Sequence, residues 1–433
     1  MKNKALKIVR IVLGVILGIA GILAIVWFGF LNPYRGTVEY YENSLPLEQV
    51  LTREQALEDL DYAIGKLQER HPAWLEEQND GVDAVMAQYE MERTGMPENP
   101  TVLDLWRAVS RCFSVMHDGH TEVWASPSDP LYINSFQKIR EKGKPDYING
   151  EPIEDVYARF LTLSSYELEP YADALFLGNV MINKAYLTWI GVDTTDGVTF
   201  TYETEDGPVD DFYTFVPVTE IEGYDSEAEA DWVGYEIDEA NHIGIFTLKS
   251  CEYNDEYRST VKAFFEAVSE QGVTDVIVDL RGNGGGSSLV CDEFLKYMDL
   301  DSYYSWANDI RLGNHLLHNK RSLMKNHRQN PQFSGDLYVL SNTKSFSAAM
   351  DFIMVVLDNG IGTIVGEAPG NLPDSYGDIL KFSLPNSKLS MQVSYKRWYR
   401  VDESKAGELL EPNVPCPSEG AMDEAYRLIL GGR

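Results

Sequence analysis

Hydrophobic and polar positions divide the chain into one long apolar segment and a much longer mixed region. From Ile11 to Leu31, 21 consecutive residues carry no charged or strongly polar side chain, and Asn32-Pro33 ends the run. At 1.5 Å per residue, a helix of that length spans the roughly 30 Å hydrocarbon core of a bilayer. The pattern therefore predicts one transmembrane helix over residues 11–31.

The residues that flank this segment predict its orientation. Lys2, Lys4, Lys7 and Arg10 precede it, so the positive-inside rule keeps residues 1–10 in the cytoplasm and sends the rest outside. A cleaved signal peptide is the alternative, but its apolar core is normally 7 to 15 residues and ends at small side chains. Because this run is longer and ends in bulky residues, we expect a single-pass anchor in the cell membrane, with the rest of the chain on the extracytoplasmic side.

Helical periodicity dominates residues 51–130, which follow a linker over 32–50. Thr52 and Gln55 have the spacing of a capping box, and an apolar stripe follows them. Thr101 and Asp104 repeat the signal before a second stripe that ends near Met116. The pattern predicts an N-terminal helical region that closes with a short extended segment over 121–125.

Alternation with turn signals marks residues 131–235. Residues 147–152 read as a strand and turn that lead into a helix, and residues 198–218 alternate around Asp206-Gly207-Pro208 like a hairpin. The acidic stretch from Glu220 to Asp231 is typical of a solvated linker. We expect a β-rich cap inserted between the helical region and the C-terminal part.

Strand and helix patterns alternate over residues 236–433. Apolar runs at 243–248, 276–278, 337–340 and 363–365 predict strands, and helical patterns at 255–270 and 347–357 lie between them. Such alternation favours an α/β layer built on a mostly parallel, buried sheet.

Composition and charge narrow the classes of function. The chain has 433 residues, 44% of them apolar, and a formal net charge of −32; residues 36–433 alone carry −37, because the first 35 residues have five basic and no acidic side chains. So acidic a surface repels phosphate backbones, which argues against nucleic-acid binding. The four cysteines form no CxxC pair, which excludes a zinc ribbon and leaves one or two ordinary disulfides open.

Two short elements at strand ends are candidates for chemistry. Asp279-Leu280-Arg281-Gly282-Asn283-Gly284-Gly285-Gly286 follows a buried strand, and consecutive glycines let backbone N–H groups approach a ligand, as in an oxyanion hole. Alone, it could equally be a tight turn. Ser345-Phe346-Ser347-Ala348 stands between a strand and a helix, where a hydroxyl lies beside the positive helix end. The simpler interpretation is that Ser345 or Ser347 caps that helix.

A third element, His117-Asp118-Gly119-His120-Thr121, follows the second helix. Two histidines three residues apart suggest a metal, but no third ligand of matching spacing is visible, so we predict no metal and no cofactor. A general base is the better functional interpretation of one histidine. A glycine turn, a serine before a helix and a histidine on another segment together make up the parts of serine acyl transfer.

Together these elements resemble the C-terminal-processing (tail-specific) serine peptidases over nearly all of the region after the anchor. The most specific part is the Asp279 to Gly286 element, followed about 60 residues later by the serine turn. Weaker parts include Asn149-Gly150-Glu151-Pro152 and Glu411-Pro412. The resemblance implies a crotonase/ClpP-like α/β core and a protein or peptide substrate.

The resemblance also implies roles for individual residues. Ser347 matches the nucleophile, and backbone N–H groups of Gly285 and Ala348 would form the oxyanion hole. One branch uses a lysine 25 residues after the serine, but position 372 is Leu, which favours the tricorn-like branch with His120 as the base.

Some expectations stay open at this stage. The acid that orients the histidine would follow the last long strand, where Asp402 and Glu403 are the candidates and Asp402 is preferred. The cap lacks a convincing peptide-binding PDZ loop. A non-catalytic member that binds peptides or apolar ligands is the alternative to an endopeptidase, and an acidic interaction module is a third hypothesis. The oligomeric state is left open.

Overall fold

Helices and strands alternate through most of the chain in this computed structural model, which describes residues 2–136, 139, 142–221 and 231–432, with side chains from residue 10 onward. The helices are α1 (Lys2–Val26), α2 (Arg53–Arg70), α3 (Asp80–Gly95), α4 (Val102–Ser114), α5 (Ile153–Leu163), α6 (Glu169–Leu175), α7 (Lys184–Trp189), α8 (Asp255–Glu270), α9 (Leu289–Leu295), α10 (Ala348–Asp358) and α11 (Ala421–Gly431).

The strands are short, and several are edge pieces. They are β1 (Glu122–Trp124), β2 (Leu131–Ile133), β3 (Tyr147–Ile148), β4 (Glu151–Pro152), β5 (Val198–Tyr202), β6 (Val209–Tyr213), β7 (Phe215–Pro217), β8 (Val233–Asp238), β9 (Ile243–Leu248), β10 (Asp275–Asp279), β11 (Ser302–Tyr304), β12 (Ala307–Leu312), β13 (His315–Asn319), β14 (Leu323–Lys325), β15 (Asp336–Ser341), β16 (Thr363–Gly366), β17 (Tyr376–Ser383), β18 (Ser390–Tyr399) and β19 (Val414–Pro415). Most of the acidic segment predicted as a linker, residues 222–230, lies outside the described residues.

The predicted anchor is a continuous helix at the N-terminal end. Helix α1 runs on into a π-helical turn, Trp27–Leu31, and Arg10–Leu31 has a mean hydropathy of 2.8 with no buried residue. In the described part of the chain, no other helix is long and apolar enough to cross a membrane. A helix of this length and composition is typical of a membrane span and of a signal sequence.

Both predicted capping boxes are present at the starts of helices. The Thr52 side chain accepts from the Gln55 backbone while Gln55 reaches back to Thr52, and Thr101 and Asp104 do the same. Each box satisfies backbone N–H groups that a helix start leaves unpaired. Helix α4 then buries its apolar stripe and ends just before the histidine element.

The region predicted as a β-rich cap is mixed. Residues 131–235 contain helices α5, α6 and α7 as well as a four-stranded sheet in the order β4-β3-β5-β6. The predicted hairpin is correct, because β5 and β6 pair antiparallel. Helix α5 begins where residues 147–152 were expected to lead into a helix, whereas α6 and α7 were missed because their stripes are short and interrupted, so periodicity gave only a weak signal.

The predicted α/β layer is a six-stranded sheet in the order β19-β16-β15-β10-β9-β8. All neighbours pair in parallel except β8, which runs antiparallel at one edge. Every residue of β10 is buried, as expected for a strand covered on both faces. The carboxyl ends of β10 and β15 therefore meet at one edge, and the glycine element and the serine turn follow them there.

A second sheet joins this layer to the N-terminal helices. Strand β18 pairs with β1, β12 and β17. Buried side chains of β17 and β18, such as Leu380 and Met391, belong to the same hydrophobic cluster as helices α2 and α4 and the cap. A separate cluster contains α8, α9 and α10. The four cysteines are free thiols, so the disulfides left open by the sequence do not form here.

Candidate active site

Ser347 lies in the turn between β15 and α10 in a backbone conformation that is rare for a residue with a side chain. Its φ is 54° and its ψ is −123°. Such positive φ values cost a non-glycine residue of order 1–3 kcal/mol and persist where surrounding contacts impose them. The Ser347 side chain makes no capping hydrogen bond to α10, so the simpler interpretation of this serine as a helix cap is wrong.

A buried asparagine fixes the strained turn. The Ser347 backbone N–H donates to Oδ1 of Asn371 over 2.8 Å, and Asn371 is 1% exposed. The Asn371 amide in turn donates to the Leu372 carbonyl at 3.2 Å. Asn371 was not predicted from the sequence, because the position considered there was the next one, 372, where a catalytic lysine would stand. The Gly370-Asn371 pair was the feature that could have indicated a turn here.

The other serine of the turn has a structural role. Ser345 is fully buried, and its hydroxyl donates to the Leu280 carbonyl at 2.8 Å while accepting from the Asn342 N–H at 3.1 Å. These bonds connect the serine turn to the glycine element across neighbouring strands. They also occupy the Ser345 hydroxyl and leave Ser347 as the serine whose side chain faces the cavity.

The glycine element packs directly against Ser347. Gly285 has φ 98°, and a Cβ placed there would lie 2.6 Å from the Ser347 Cβ and 2.7 Å from the Phe346 carbonyl oxygen. Only glycine fits at this position, both for its φ and for the close approach.

The oxyanion-hole assignment of Gly285 needs correction. The Gly285 N–H donates to Oδ1 of Asn283 at 2.8 Å and is therefore occupied. Gly286 and Ala348 line the cavity beside Ser347, and among the described residues no acceptor takes either N–H. The N–H groups of Gly286 and Ala348 therefore remain available to an oxyanion, and the glycine concerned is Gly286 rather than the predicted Gly285.

His120 comes to the same place from the N-terminal region. Its backbone N–H donates to Oδ1 of Asp118 at 2.9 Å, and strand β1, which begins two residues later, pairs with β18. The imidazole packs on Phe346 with ring centroids 4.7 Å apart. The residue is 9% exposed, and neither ring nitrogen has a hydrogen-bond partner among the described residues.

One cavity of about 510 Å³ contains the predicted nucleophile and base. Its lining includes His120, Ser347, Ala348 and three carboxylates, Glu122, Asp351 and Asp378. The imidazole and the hydroxyl line this cavity without bonding to each other, and looser geometry is common before substrate binds. Segments more than two hundred residues apart therefore meet in one cleft.

Asp118 is the buried carboxylate next to His120. Its Oδ1 lies 3.9 Å from His120 Nδ1, and its Oδ2 accepts from His71 Nε2 at 3.1 Å and from Thr121 Oγ1 at 2.5 Å. Burial alone raises the pKa of Asp118, but these hydrogen bonds and both histidines hold it well below its usual range. The side chain is therefore an anion that fixes the whole histidine element.

The structure does not bring Asp402, the predicted orienting acid, to the cavity. The Asp402 N–H donates to the carboxylate of Asp358 at 3.0 Å, at the far end of α10. Eleven helical residues rise roughly 15 Å, so Asp402 lies about one helix length from Ser347. Its own carboxylate accepts from Ser404 and pairs with Lys405 at 3.4 Å. Glu403, the other candidate, is exposed on the same turn.

Burial and charge set the protonation of the cleft. Burial lowers the pKa of His120 below its ordinary value, and Asp118 and Asp378 oppose this effect only in part. The surrounding protein raises the pKa of Glu122 to about 7, although this side chain is open to water in the cleft. His120 is therefore neutral near pH 7, as a proton acceptor must be.

A further acid reaches the site from the segment between α5 and α6. Oε2 of Glu167 accepts the Leu372 N–H at 2.8 Å, while its Oε1 has no partner among the described residues. Burial, with Asp118 nearby, raises the pKa of Glu167 well above its ordinary value. Within the described part of the chain, Asp118, His120 and Glu167 form a group with ligand spacing for a metal ion.

Comparison with known proteins finds a family match in the C-terminal part of the chain. Residues 242–415 match peptidase family S41. The match takes in strands β9 to β19 and covers less than half of the chain. The predicted resemblance to C-terminal-processing serine peptidases is confirmed, and the protein is a hydrolase of the serine-peptidase type. The S41 match contains Ser347 and the glycine element, whereas His120 lies before it.

Two solved structures of mature CPAF share the fold of this chain. Mature CPAF complexed with lactacystin is 14% identical with a TM-score of 0.62, and covers 88% of this chain and 97% of its own. Another structure of mature CPAF is 13% identical with a TM-score of 0.60, with 88% and 96% covered. The photosystem II D1 C-terminal processing protease is 13% identical at a TM-score of 0.49, with 84% and 94% covered. No curated protein matches the chain by sequence.

Proposed function

We propose that the protein is a membrane-anchored serine endopeptidase that cleaves extended protein tails or peptides outside the cytoplasm. Its core would be of the crotonase/ClpP type. The observation that carries the proposal is the cavity shared by His120, Ser347 and the two unoccupied amides of Gly286 and Ala348. The apolar helix preceded by basic residues supports the anchor and its orientation.

The first half of the reaction follows from these groups. Neutral His120 accepts the Ser347 proton as the alkoxide attacks the peptide carbonyl, forming a tetrahedral oxyanion. N–H groups of Gly286 and Ala348, beside the N-terminal end of α10, stabilise that negative charge. His120 then gives the proton to the leaving amine, and an acyl-enzyme remains on Ser347.

Water completes the reaction by the same steps in reverse order. His120 takes a proton from the water that attacks the acyl carbonyl, and Ser347 leaves with that proton restored. Asp118, rather than Asp402, stabilises the imidazolium that forms in both halves, because it is the anion whose Oδ1 lies 3.9 Å from the ring.

Covalent labelling tests the proposal. The full chain in detergent is treated with a fluorophosphonate probe, and peptide hydrolysis is followed in parallel. We expect labelling of wild type, loss of labelling in Ser347→Ala, and a fall in rate of at least about 10³-fold in His120→Ala. Ser288→Ala is the matched control, because Ser288 lines the same cavity and has no assigned chemical role.

Two results would contradict the proposal. Labelling of Ser347→Ala at the wild-type level would show that another residue is the nucleophile. Peptide binding by a wild-type protein that neither labels nor hydrolyses would favour the non-catalytic alternative, in which the cleft only holds a ligand.

A further inference from the structure

Three side chains at the inner end of the cleft face one another with unused lone pairs. Asp118, His120 and Glu167 each place one ligand atom so that all three atoms lie within 4.8 Å of one another. The sequence offered a histidine pair without a third ligand, and the cap provides that ligand through Glu167. The first two residues lie just after α4, and the third lies about fifty residues further along the chain.

Hydrogen bonds leave free acceptor positions on each of these groups. Asp118 Oδ1 accepts the His120 N–H, which leaves it a second lone pair, while Oδ2 is used by His71 and Thr121 and the Ser394 hydroxyl lies near the carboxylate. Glu167 uses Oε2 for the Leu372 N–H, and its Oε1 lies near the Gly119 N–H without a hydrogen bond of ordinary geometry among the described residues. Neither His120 ring nitrogen makes a hydrogen bond of ordinary geometry among the described residues, although the Tyr376 backbone carbonyl lies near the ring and the residue is more than nine-tenths buried.

Unpaired acceptors that converge in a buried space require a donor or a cation. Asp118 and the imidazole direct lone pairs into this buried space, where a divalent cation would bind them, and Glu167 would release its carboxyl proton to become the third ligand. The imidazole nitrogen disfavours Mg²⁺ and Ca²⁺, which take oxygen ligands, and suits Zn²⁺ with mixed nitrogen and oxygen donors. Zinc–ligand bonds of about 2.0–2.2 Å require these atoms to approach by roughly 1 Å.

We propose that Asp118, His120 and Glu167 form a Zn²⁺ site, and that bound zinc switches the peptidase off. Neutral imidazole has one free lone pair, and a metal that takes it leaves the ring unable to accept the Ser347 proton. A fourth position on the ion stays open to water. The inhibitory part of the inference rests on the proposed function, whereas the binding part does not.

Metal binding is measured first, without catalysis. The full chain carrying Ser347→Ala is stripped with EDTA in detergent and titrated with Co²⁺, whose visible absorption reports low-coordinate nitrogen and oxygen ligation, and Zn²⁺ then displaces it. We expect one equivalent to bind and Glu167→Gln to weaken binding by at least about tenfold. Glu122→Gln is the matched control, because it removes a carboxylate charge from the same cavity outside the trio and should leave the affinity unchanged.

Folding is checked separately, so that a misfolded variant does not imitate a lost ligand. Thermal unfolding of Glu167→Gln should match its parent, and Glu167→Asp, which retracts the carboxylate, should bind with intermediate affinity. Absence of binding to the parent, or equal affinity in Glu167→Gln and the parent, would overturn the site.

Inhibition is measured on wild type as the rate of fluorophosphonate labelling. We expect Zn²⁺ to suppress labelling, EDTA to restore it, and Glu167→Gln to need at least about tenfold more zinc. Zinc binding without loss of labelling would overturn the switch. Wild type that fails to label even without metal, while the Ser347→Ala protein binds zinc, would overturn the proposed function and support the site.

Discussion

At the scale of single residues, the candidate site depends on side chains that hold other side chains. Ser347 has a positive φ, and the Asn371 carbonyl oxygen keeps its N–H in place. His120 is held through its backbone by Asp118, which is itself fixed by His71. The reacting groups are therefore positioned by buried polar residues, of which the sequence pattern singled out Asp118 but neither Asn371 nor His71.

Replacing Asn371 should loosen the serine turn without touching the nucleophile. In Asn371→Ala the strained Ser347 N–H loses its acceptor, which should cost about 1–2 kcal/mol of stability. A displaced hydroxyl should lower kcat/KM by roughly ten- to a hundredfold. Urea unfolding and peptide hydrolysis measure the two effects, and unchanged kinetics would show that the turn holds its geometry alone.

The pH dependence should report the protonation of His120. As general base it must be neutral, and burial lowers its pKa, so protonation should begin only below its ordinary value of about 6.5. The acid limb of kcat/KM is therefore expected to have its midpoint below pH 6.5. A midpoint well above that pH would mean that the neighbouring carboxylates outweigh burial.

At the scale of elements, the site is the meeting of two strand ends with one helix start. The glycine element after β10 and the serine turn after β15 are adjacent because their strands pair in parallel register. Strand β1 brings His120 beside them by pairing with β18. Gly285 is the point of closest contact between the first two, so its lack of a side chain sets the spacing of the site.

Glycines 284 and 285 form a matched pair for testing this contact. Gly285→Ala puts a Cβ 2.6 Å from the Ser347 Cβ at φ 98°, whereas a Cβ at Gly284 meets nothing within 4 Å. We expect Gly285→Ala to lower the melting temperature and to slow labelling by on the order of a hundredfold. Gly284→Ala should lower the melting temperature and the labelling rate far less. Equal effects of the two substitutions would show that the contact at Gly285 does not set the spacing of the site.

Substitutions at Asp118 and Asp402 test which of these two acids supports His120. Asp118→Asn leaves His71 and His120 without their anion, so we expect a loss of about a hundredfold or more in kcat/KM. Asp402→Asn acts at the far helix end, where surface substitutions change stability within about 0.5 kcal/mol. Its activity should stay near wild type, and a large loss there would restore the sequence-based assignment of Asp402.

Local signals predicted the elements better than the contacts between them. Thr52 and Thr101 form capping boxes with residues three positions later, and the buried strands are continuous apolar runs. The helix starts and the strands could therefore be predicted from the sequence. Glu167 and Asn371 act on residues far away in the chain, and no periodicity encodes such pairing. Asp402 was misplaced for the same reason, because order along the chain does not say which end of a helix a loop reaches.

At the scale of the whole molecule, the large net negative charge is the property most relevant to substrate selection. The chain carries −32 overall, and Glu122, Asp351 and Asp378 line the cleft. Such a field attracts cationic chains and repels anionic ones, and salt screens it over about 10 Å at 0.1 M. Selectivity for substrates should therefore have a component that depends on ionic strength.

Paired peptides test this component. Two fluorogenic peptides that differ only in Lys or Glu residues flanking the cleavage site are compared at low and high salt. We expect higher kcat/KM for the Lys peptide at low salt, and a ratio that falls toward one as salt is added. A ratio that does not change with salt would assign the preference to short-range contacts.

The two reacting side chains also stand on segments that pack in different hydrophobic clusters. His120 follows α4 and precedes β1, whose buried residues pack with the N-terminal helices, whereas α10, which follows Ser347, packs with α8 and α9. A small rotation of one cluster relative to the other changes the distance between His120 and Ser347, which the proton must cross. A ligand that binds at a distance from the cleft and holds these two clusters together, or separates them, would change the turnover rate. An inhibitor of this protein therefore need not resemble its substrate.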